Sequence, residues 1–198
     1  MRWDLMKARA LERLRSEAAL GMVDGELLEL LNLINSHQGL FTTSSCSGRI
    51  TVACSDISPD DKRSTRIIYK THRTTSVPAI ENALREAKCK HLWAKSSHPL
   101  LDLFAKELDL AWDIVDLAKK AGFKYSGVQR SGSYYRVIIR SNENIQFPLN
   151  GDDDSKKLAK VVSELNKFLL EGKVRLARLL SLLDEDGLLD DYLENFLI

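Results

Sequence analysis

At 198 residues the chain is long enough to bury a substantial core, as one domain or two small ones. Hydrophobic residues at 44% and charged residues at 29% exclude the disordered and fibrous classes. The net charge of +1 conceals an asymmetry: residues 40 to 140 carry seventeen Lys/Arg against ten Asp/Glu, so the middle of the chain suits an anionic partner, while Asp184, Glu185, Asp186, Asp190, Asp191 and Glu194 make the end acidic.

The opening stretch MRWDLMKARALERLRSE is charged throughout and lacks the apolar stretch of a signal peptide. No run of about 18 apolar residues crosses a membrane, and the chain reads as cytosolic. Cys46, Cys54 and Cys89 show no CxxC or other metal-ligand spacing. They read as thiols of a reducing compartment, with no metal site expected.

Residues 4 to 17 and 24 to 35 are predicted as amphipathic helices. In the second, Asp24 is placed to cap the N-terminus, and Leu27, Leu28, Leu31 and Ile34 share a face. A hydroxyl-rich loop over 41 to 48 then leads into a strand at 49 to 54, where Ile50, Val52 and Cys54 alternate inward. A polar connection precedes a strand at Arg66 to Lys70, and Pro78 suits the first turn of a helix running to about Lys88. KHLWAK and PLLDLFA read as strands. Residues 107 to 121 form a helix stopped by Gly122, with Leu108, Ala111, Ile114, Val115 and Ala118 inward. KYSGVQR and YYRVIIR make a strand pair around the Ser131-Gly132-Ser133 turn, NIQFP adds another strand, and a helix runs from Asp154 to about Leu183, broken or bent near Gly172. Asp152, Asp153 and Asp154 sit where carboxylates favour its dipole. The expectation is a single α+β domain over 1–198, with a mixed β-sheet and flanking helices, a helical N-terminus and a long C-terminal helical segment.

Neither GxxxxGK[ST] nor a strand-to-helix GxGxxG is present. The stretch FTTSSCSGRI, residues 41 to 50, packs Thr42, Thr43, Ser44, Ser45 and Ser47 around Cys46 and adds Gly48 and Arg49. Its hydroxyls and backbone N–H groups either converge on a carboxylate or phosphate, with Arg49 as a bidentate cation, or satisfy a tight turn. In DKRSTRIIYKTHR, Lys62, Arg63, Arg66, Lys70, His72 and Arg73 surround Tyr69. That composition suits phosphates with a stacked base, or else a strand edge guarded by charge. Isolated His37, His91 and His98 read as structural. Trp93 and Trp112 read as core.

At FTTSSCSGRI the chain resembles the tRNA wybutosine-synthesising protein 3 family. The family's hallmark is a TxSSCSGRI stretch preceded by a VD helix start and an Asn, here Val23-Asp24, Asn35 and Thr43 to Ile50. LWAK (92 to 95), AKKAGFKYSGV (118 to 128) and RVIIRSNENIQFPL (136 to 149) keep the family's order, as in the stand-alone archaeal members. One departure concerns a histidine that the family often carries in a PxLH context; here Asp102 stands there, with His98 upstream.

The resemblance implies S-adenosylmethionine-dependent methylation of N4 in a 7-aminocarboxypropyl-4-demethylwyosine at position 37 of phenylalanine tRNA. Such a transfer needs alignment and a route for a proton, but no metal. On that reading Ser45, Cys46, Arg49 and His72 are the candidate catalytic residues, with His72 relaying the proton. Ser44, Ser47 and Gly48 are candidates for the cofactor. Lys62, Arg63, Arg66, Lys70 and Arg73 are candidates for the anticodon stem-loop phosphates. The alternatives are a non-catalytic RNA-binding protein with strongly salt-dependent affinity, and an anion-binding enzyme with Cys46 as nucleophile.

Overall fold

The computed structural model describes residues 2–57, 63–141, 143–151 and 153–185. The described residues of Met1–Ser47, Pro99–Asn142 and Val174–Ile198 form one compact unit, and those of Gly48–His98 and Glu143–Lys173 form a second. The α+β class is borne out, with the strands divided between two four-stranded antiparallel sheets.

The first unit is built on the order β1-β5-β7-β6, from Leu40–Cys46, Leu100–Ala105, Tyr134–Arg140 and Gly127–Ser131. Helix α1, Trp3–Ala19, is anchored by Trp3, which is buried against Phe41 and Tyr134 with ring centroids 4.9 Å away in both cases. Its indole N–H donates to the Gln38 carbonyl at 2.9 Å. A 3-10 turn, Gly25–Leu27, leads into helix α2, Leu28–Ser36. Leu27, Leu31 and Ile34 pack with Leu101, Leu103, Val137 and Ile139 of the sheet, and with Ile114, Val115 and Ala118 of helix α4, Leu108–Lys120. Gly122 ends α4 as expected: at φ +108 it lets the Phe123 N–H reach the Ala118 carbonyl at 2.9 Å.

The second unit carries the order β3-β2-β4-β8, from Arg66–Thr71, Arg49–Ser55, His91–Ser97 and Asn144–Leu149. One face presents Ile50, Val52, Cys54, Leu92, Ala94 and Leu149, which pack against Ile80 and Leu84 of helix α3, Val77–Glu86. Helix α5, Ser155–Glu185, adds Leu158, Val161, Leu165 and Leu169 to this core and Leu176, Leu179 and Leu183 to that of the first unit. It runs through Gly172 without the expected break, its N-terminal half carrying Leu158 to Leu169 into one core and its C-terminal half Leu176 to Leu183 into the other. Asp154 caps it, its Oδ1 accepting the Lys157 N–H at 2.7 Å.

Three expectations are corrected. Residues 41 to 46 are strand rather than loop: hydroxyl side chains hide the alternation that marks a half-buried strand, yet every residue from Leu40 to Cys46 lies within β1, paired to β5 with a bulge between Thr42 and Ser44. Trp112, assigned to the core, is 45% exposed on α4 with the Lys119 ammonium 5.7 Å from its ring centroid. Cys54 and Cys89, read as thiols, form a disulfide. Spacing cannot reveal this pairing, since β2 and the segment after α3 approach only on folding. Among the described residues no helix is long and apolar enough to cross a membrane.

The disulfide joins positions 35 residues apart, a loop whose closure is worth about 3–4 kcal/mol by chain entropy. Cys89→Ser is expected to lower the unfolding free energy by roughly that amount in denaturant titrations without reductant. Dithiothreitol should bring the parent chain down to the same value. Equal stability of parent and variant without reductant overturns the structural role of the bridge.

Candidate active site

In the first unit the hydroxyl strand has little apolar surface to hold it, and hydrogen bonds from α2 and its approach supply the grip. The Asn35 carboxamide accepts the Thr42 N–H at 2.8 Å and donates to Thr42 Oγ1 at 2.8 Å, both buried. Asp24, expected as a helix cap, makes no cap hydrogen bond. Its Oδ2 accepts the Ser47 N–H at 2.9 Å. Thr43 Oγ1 donates to the Asp102 carbonyl at 3.0 Å, and the Arg13 guanidinium donates to the Thr43 carbonyl. Val23-Asp24 and Asn35 are thus the residues that register the hydroxyl stretch.

A pocket of about 230 Å³ opens beside this strand in the same unit. Thr43, Ser44 and Ser45 line one wall, Arg13 and Glu17 of α1 another, and Leu14, Met22 and Val23 supply apolar surface. Arg13 and Glu17 lie 3.6 Å apart, so the pocket offers a cation, a carboxylate and hydroxyls together. Ser44 is exposed, while Ser45 and Cys46 are half-buried. Ser47 is fully buried, and its Oγ has no hydrogen-bond partner among the described residues. Deeper in the sheet, Asp102 binds Arg136 through Nε at 2.8 and 3.0 Å and through Nη2. The hydrogen bond to Asp102, then its charge, raise the Arg136 pKa above its already high value. Arg136 therefore stays charged and the carboxylate is fully engaged.

The second unit holds Gly48, Arg49 and His72. Gly48 sits between β1 and β2 at φ +91, a conformation that a side chain disfavours. Arg49 is exposed at the start of β2, and His72 is half-buried just past β3. On the sheet face turned away from the core, a groove of about 210 Å³ is lined by Arg49, Thr51, Ala53, Ile67, Lys70, Trp93, Lys95 and their neighbours Thr65 and Ser97.

The basic segment is resolved in part by the structure. Lys62 lies outside the described residues. Arg63, Arg66, Lys70 and Arg73 are all exposed. Arg66 leans 3.9 Å from Asp56, a solvent-screened pair of little energetic weight. Two aromatic assignments exchange places. Tyr69, offered as the stacking ring, packs against the core and its hydroxyl pairs with Thr75 Oγ1 at 2.7 Å. Trp93, assigned to the core, lines the open groove. The alternation in HLWAKSS already carries this signal, since Leu92 and Ala94 are buried and Trp93 and Lys95 half-buried between them. The structural reading of His98 is borne out: its ring stacks on Phe168 with centroids 3.9 Å apart, Nε2 meets the Phe168 carbonyl at 3.1 Å, and Nδ1 lies 3.3 Å from Glu143.

Residues 5–185 match the family model described as Methyltransferase TYW3. A relative from Thermococcus sibiricus, named tRNA(Phe) 7-((3-amino-3-carboxypropyl)-4-demethylwyosine(37)-N(4))-methyltransferase, is 35% identical over 185 residues, covering 89% of this chain and 92% of its own. A relative of the same name from Archaeoglobus fulgidus is 35% identical over 184 residues, covering 90% of this chain and 92% of its own. Among solved structures, the PH1069 protein from Pyrococcus horikoshii superposes with a TM-score of 0.85 at 34% identity, over 91% of this chain and 95% of its own.

Asn35→Ala removes both buried bonds to Thr42 and orphans its N–H, which is expected to cost about 2–4 kcal/mol of stability. Urea titration measures this directly. A loss under about 0.5 kcal/mol, the level of an ordinary surface substitution, removes Asn35 from the role of holding the strand.

Proposed function

The chain belongs to the TYW3 methyltransferase family, and on that premise we propose that it methylates N4 of 7-(3-amino-3-carboxypropyl)-4-demethylwyosine at position 37 of phenylalanine tRNA. The observation that carries this reading is the family match across residues 5–185, joined by relatives of that activity at 35% identity over nine-tenths of the chain. We take both compact units as parts of one methyltransferase domain, since the match runs through both. We assign its work to the cytoplasm, where internal disulfides are uncommon except in hyperthermophilic organisms.

S-adenosylmethionine is the proposed donor; when bound, it supplies a methyl group on a sulfonium, ready for in-line transfer. The residues fit such a group. Its aminocarboxylate end matches the joint presence of Arg13, Glu17 and the hydroxyls of Ser44 and Ser45 around one pocket. The buried Ser47 hydroxyl lacks a partner among the described residues, as expected of a group kept for a ligand, and Gly48 beside it adds no side chain. Positioning of this kind can supply about 7–11 kcal/mol of the barrier, so no metal and no covalent intermediate are required.

On the acceptor side, N4 exchanges a proton for a methyl, and the chain must take that proton up. We assign this to His72, with Arg49 holding an anionic or carbonyl edge of the substrate. Ser45 orients the reacting groups. Cys46 lines the site, its thiol not consumed by N-methylation. Lys62, Arg63, Arg66, Lys70 and Arg73 steer the anticodon stem-loop phosphates.

The test uses labelled S-adenosylmethionine with phenylalanine tRNA bearing the demethylated tricyclic base, and unmodified tRNA as control. Label is expected on the modified tRNA alone. Arg49→Ala should lower kcat/KM by on the order of a hundredfold or more, with an unchanged unfolding curve. A well-folded Arg49→Ala chain of full activity removes Arg49 from the mechanism. Tight tRNA binding without transfer on a competent substrate establishes the non-catalytic RNA-binding reading instead.

A further inference from the structure

The open groove of the second unit sets Lys95, Trp93 and Ile67, which the methyl-transfer reading does not use, beside Arg49 and Lys70, which it does. Strand pairing sorts its lining into rows across the sheet. Arg49 stands opposite Ser97 in the first row. In the next, Thr51 is flanked by Lys70 on β3 and Lys95 on β4. In the last, Ala53 is flanked by Ile67 and Trp93. Rows two residues apart along a strand are separated by about 7 Å. The small residues Thr51 and Ala53 make the floor, at 8% and 3% exposure, and Trp93 and Ile67 rise beside it, with Ile67 57% exposed.

The groove thus runs from cations to an indole and an aliphatic side chain. No carboxylate lines it, and among the described residues Arg49, Lys70 and Lys95 have no ion-pair partner. An exposed aliphatic side chain and a half-buried indole beside cations that no carboxylate neutralises suit a ligand with both a flat apolar face and a negative charge. A nucleotide in an unpaired strand has that composition. Its base has a π-face for Trp93, and its phosphates meet Lys70 and Lys95.

We infer that this sheet face is a single-stranded RNA platform, with one unpaired base stacked on Trp93 and the adjoining phosphates held by Lys70 and Lys95. Only the identity of that RNA, the anticodon loop of the substrate tRNA, rests on the function proposed above. A duplex keeps its bases stacked inside and cannot use Trp93 in this way.

Binding is read by fluorescence anisotropy of a labelled, unmodified anticodon stem-loop of phenylalanine tRNA, titrated with the full chain and no methyl donor. Trp93→Leu is expected to weaken binding by about tenfold to a hundredfold, and Trp93→Phe to keep most of the affinity. Lys95→Ala should reduce the slope of log affinity against log salt by about 1. A blunt RNA duplex should show no Trp93 dependence. Unchanged affinity in Trp93→Leu overturns the platform, and so does an equal loss on loop and duplex, or a Trp93→Phe chain as weak as Trp93→Leu. Neither donor nor tricyclic base enters this measurement, so a chain that binds as expected but transfers no methyl loses the functional assignment alone. One that methylates with Trp93-independent loop affinity loses the platform alone.

Discussion

The first unit depends on how a strand made of hydroxyl side chains is held in place. Thr42, Thr43, Ser44 and Ser45 cannot anchor β1 by burying apolar area, the usual source of strand stability. Asn35 answers this by offering Thr42 an acceptor and a donor at once, and Asp24 by accepting the N–H of Ser47 at the far end of the stretch. The strand is thereby fixed at both ends by polar bonds from α2 and the turn before it. The hydroxyls of Ser44 and Ser45 remain on the pocket side. A strand fixed by leucines instead would have spent those same positions on packing.

The helices were legible because their apolar residues recur at helical spacing, and the boundaries of α3, α4 and α5 fall close to those expected. Pro78, Gly122 and Asp154 punctuate them by steric and capping rules that operate locally. β1 was not legible, since Ser and Thr conceal the alternation, and pairing to β5 comes from residues some 60 positions away. Nor was the Cys54–Cys89 bridge, which depends on tertiary approach. The hydroxyl stretch and the basic segment were visible as composition. Arg13 and Glu17 were missed as pocket residues because nothing in an amphipathic helix says which polar turn will border a cavity. Tyr69 and Trp93 were misassigned for a simpler reason: strand alternation, not nearness in sequence, sets the face, so Tyr69 opposite Val52 turns to the core while Lys70, and Trp93 opposite Ala53, turn away from it.

The residue that departs from the family's habit now has a physical account. Asp102, at the position where a histidine is common in the family, is only 5% exposed and gives both oxygens to Arg136. A carboxylate buried and held this way is costly to separate from its partner, and both of its oxygens are engaged by Arg136. His98 does not take over the role either, since its ring is clasped by Phe168 and Glu143. Both groups build the scaffold, which leaves His72 as the residue proposed for proton transfer. Asp102 still bears on the site through its backbone, because its carbonyl accepts the Thr43 hydroxyl and so aligns the strand that borders the pocket.

The two sheets solve a common problem differently. An antiparallel sheet covered on one face leaves the other to be explained. In the second unit, α3 and α5 cover the face of Ile50, Val52 and Ala94, and the other face carries a gradient from Arg49 through Lys70 and Lys95 to Ile67 and Trp93. Such an arrangement is unfavourable for the chain by itself: like charges repel across a row, and a large indole keeps contact with water. Charge repulsion of this kind is relieved by a polyanion and not by a neutral ligand, while the indole asks for a flat partner. Methyl transfer itself needs neither feature, only alignment of donor and acceptor. The groove is therefore the part of the chain inferred to hold RNA, and the hydroxyl strand with its pocket the part proposed for the methyl donor.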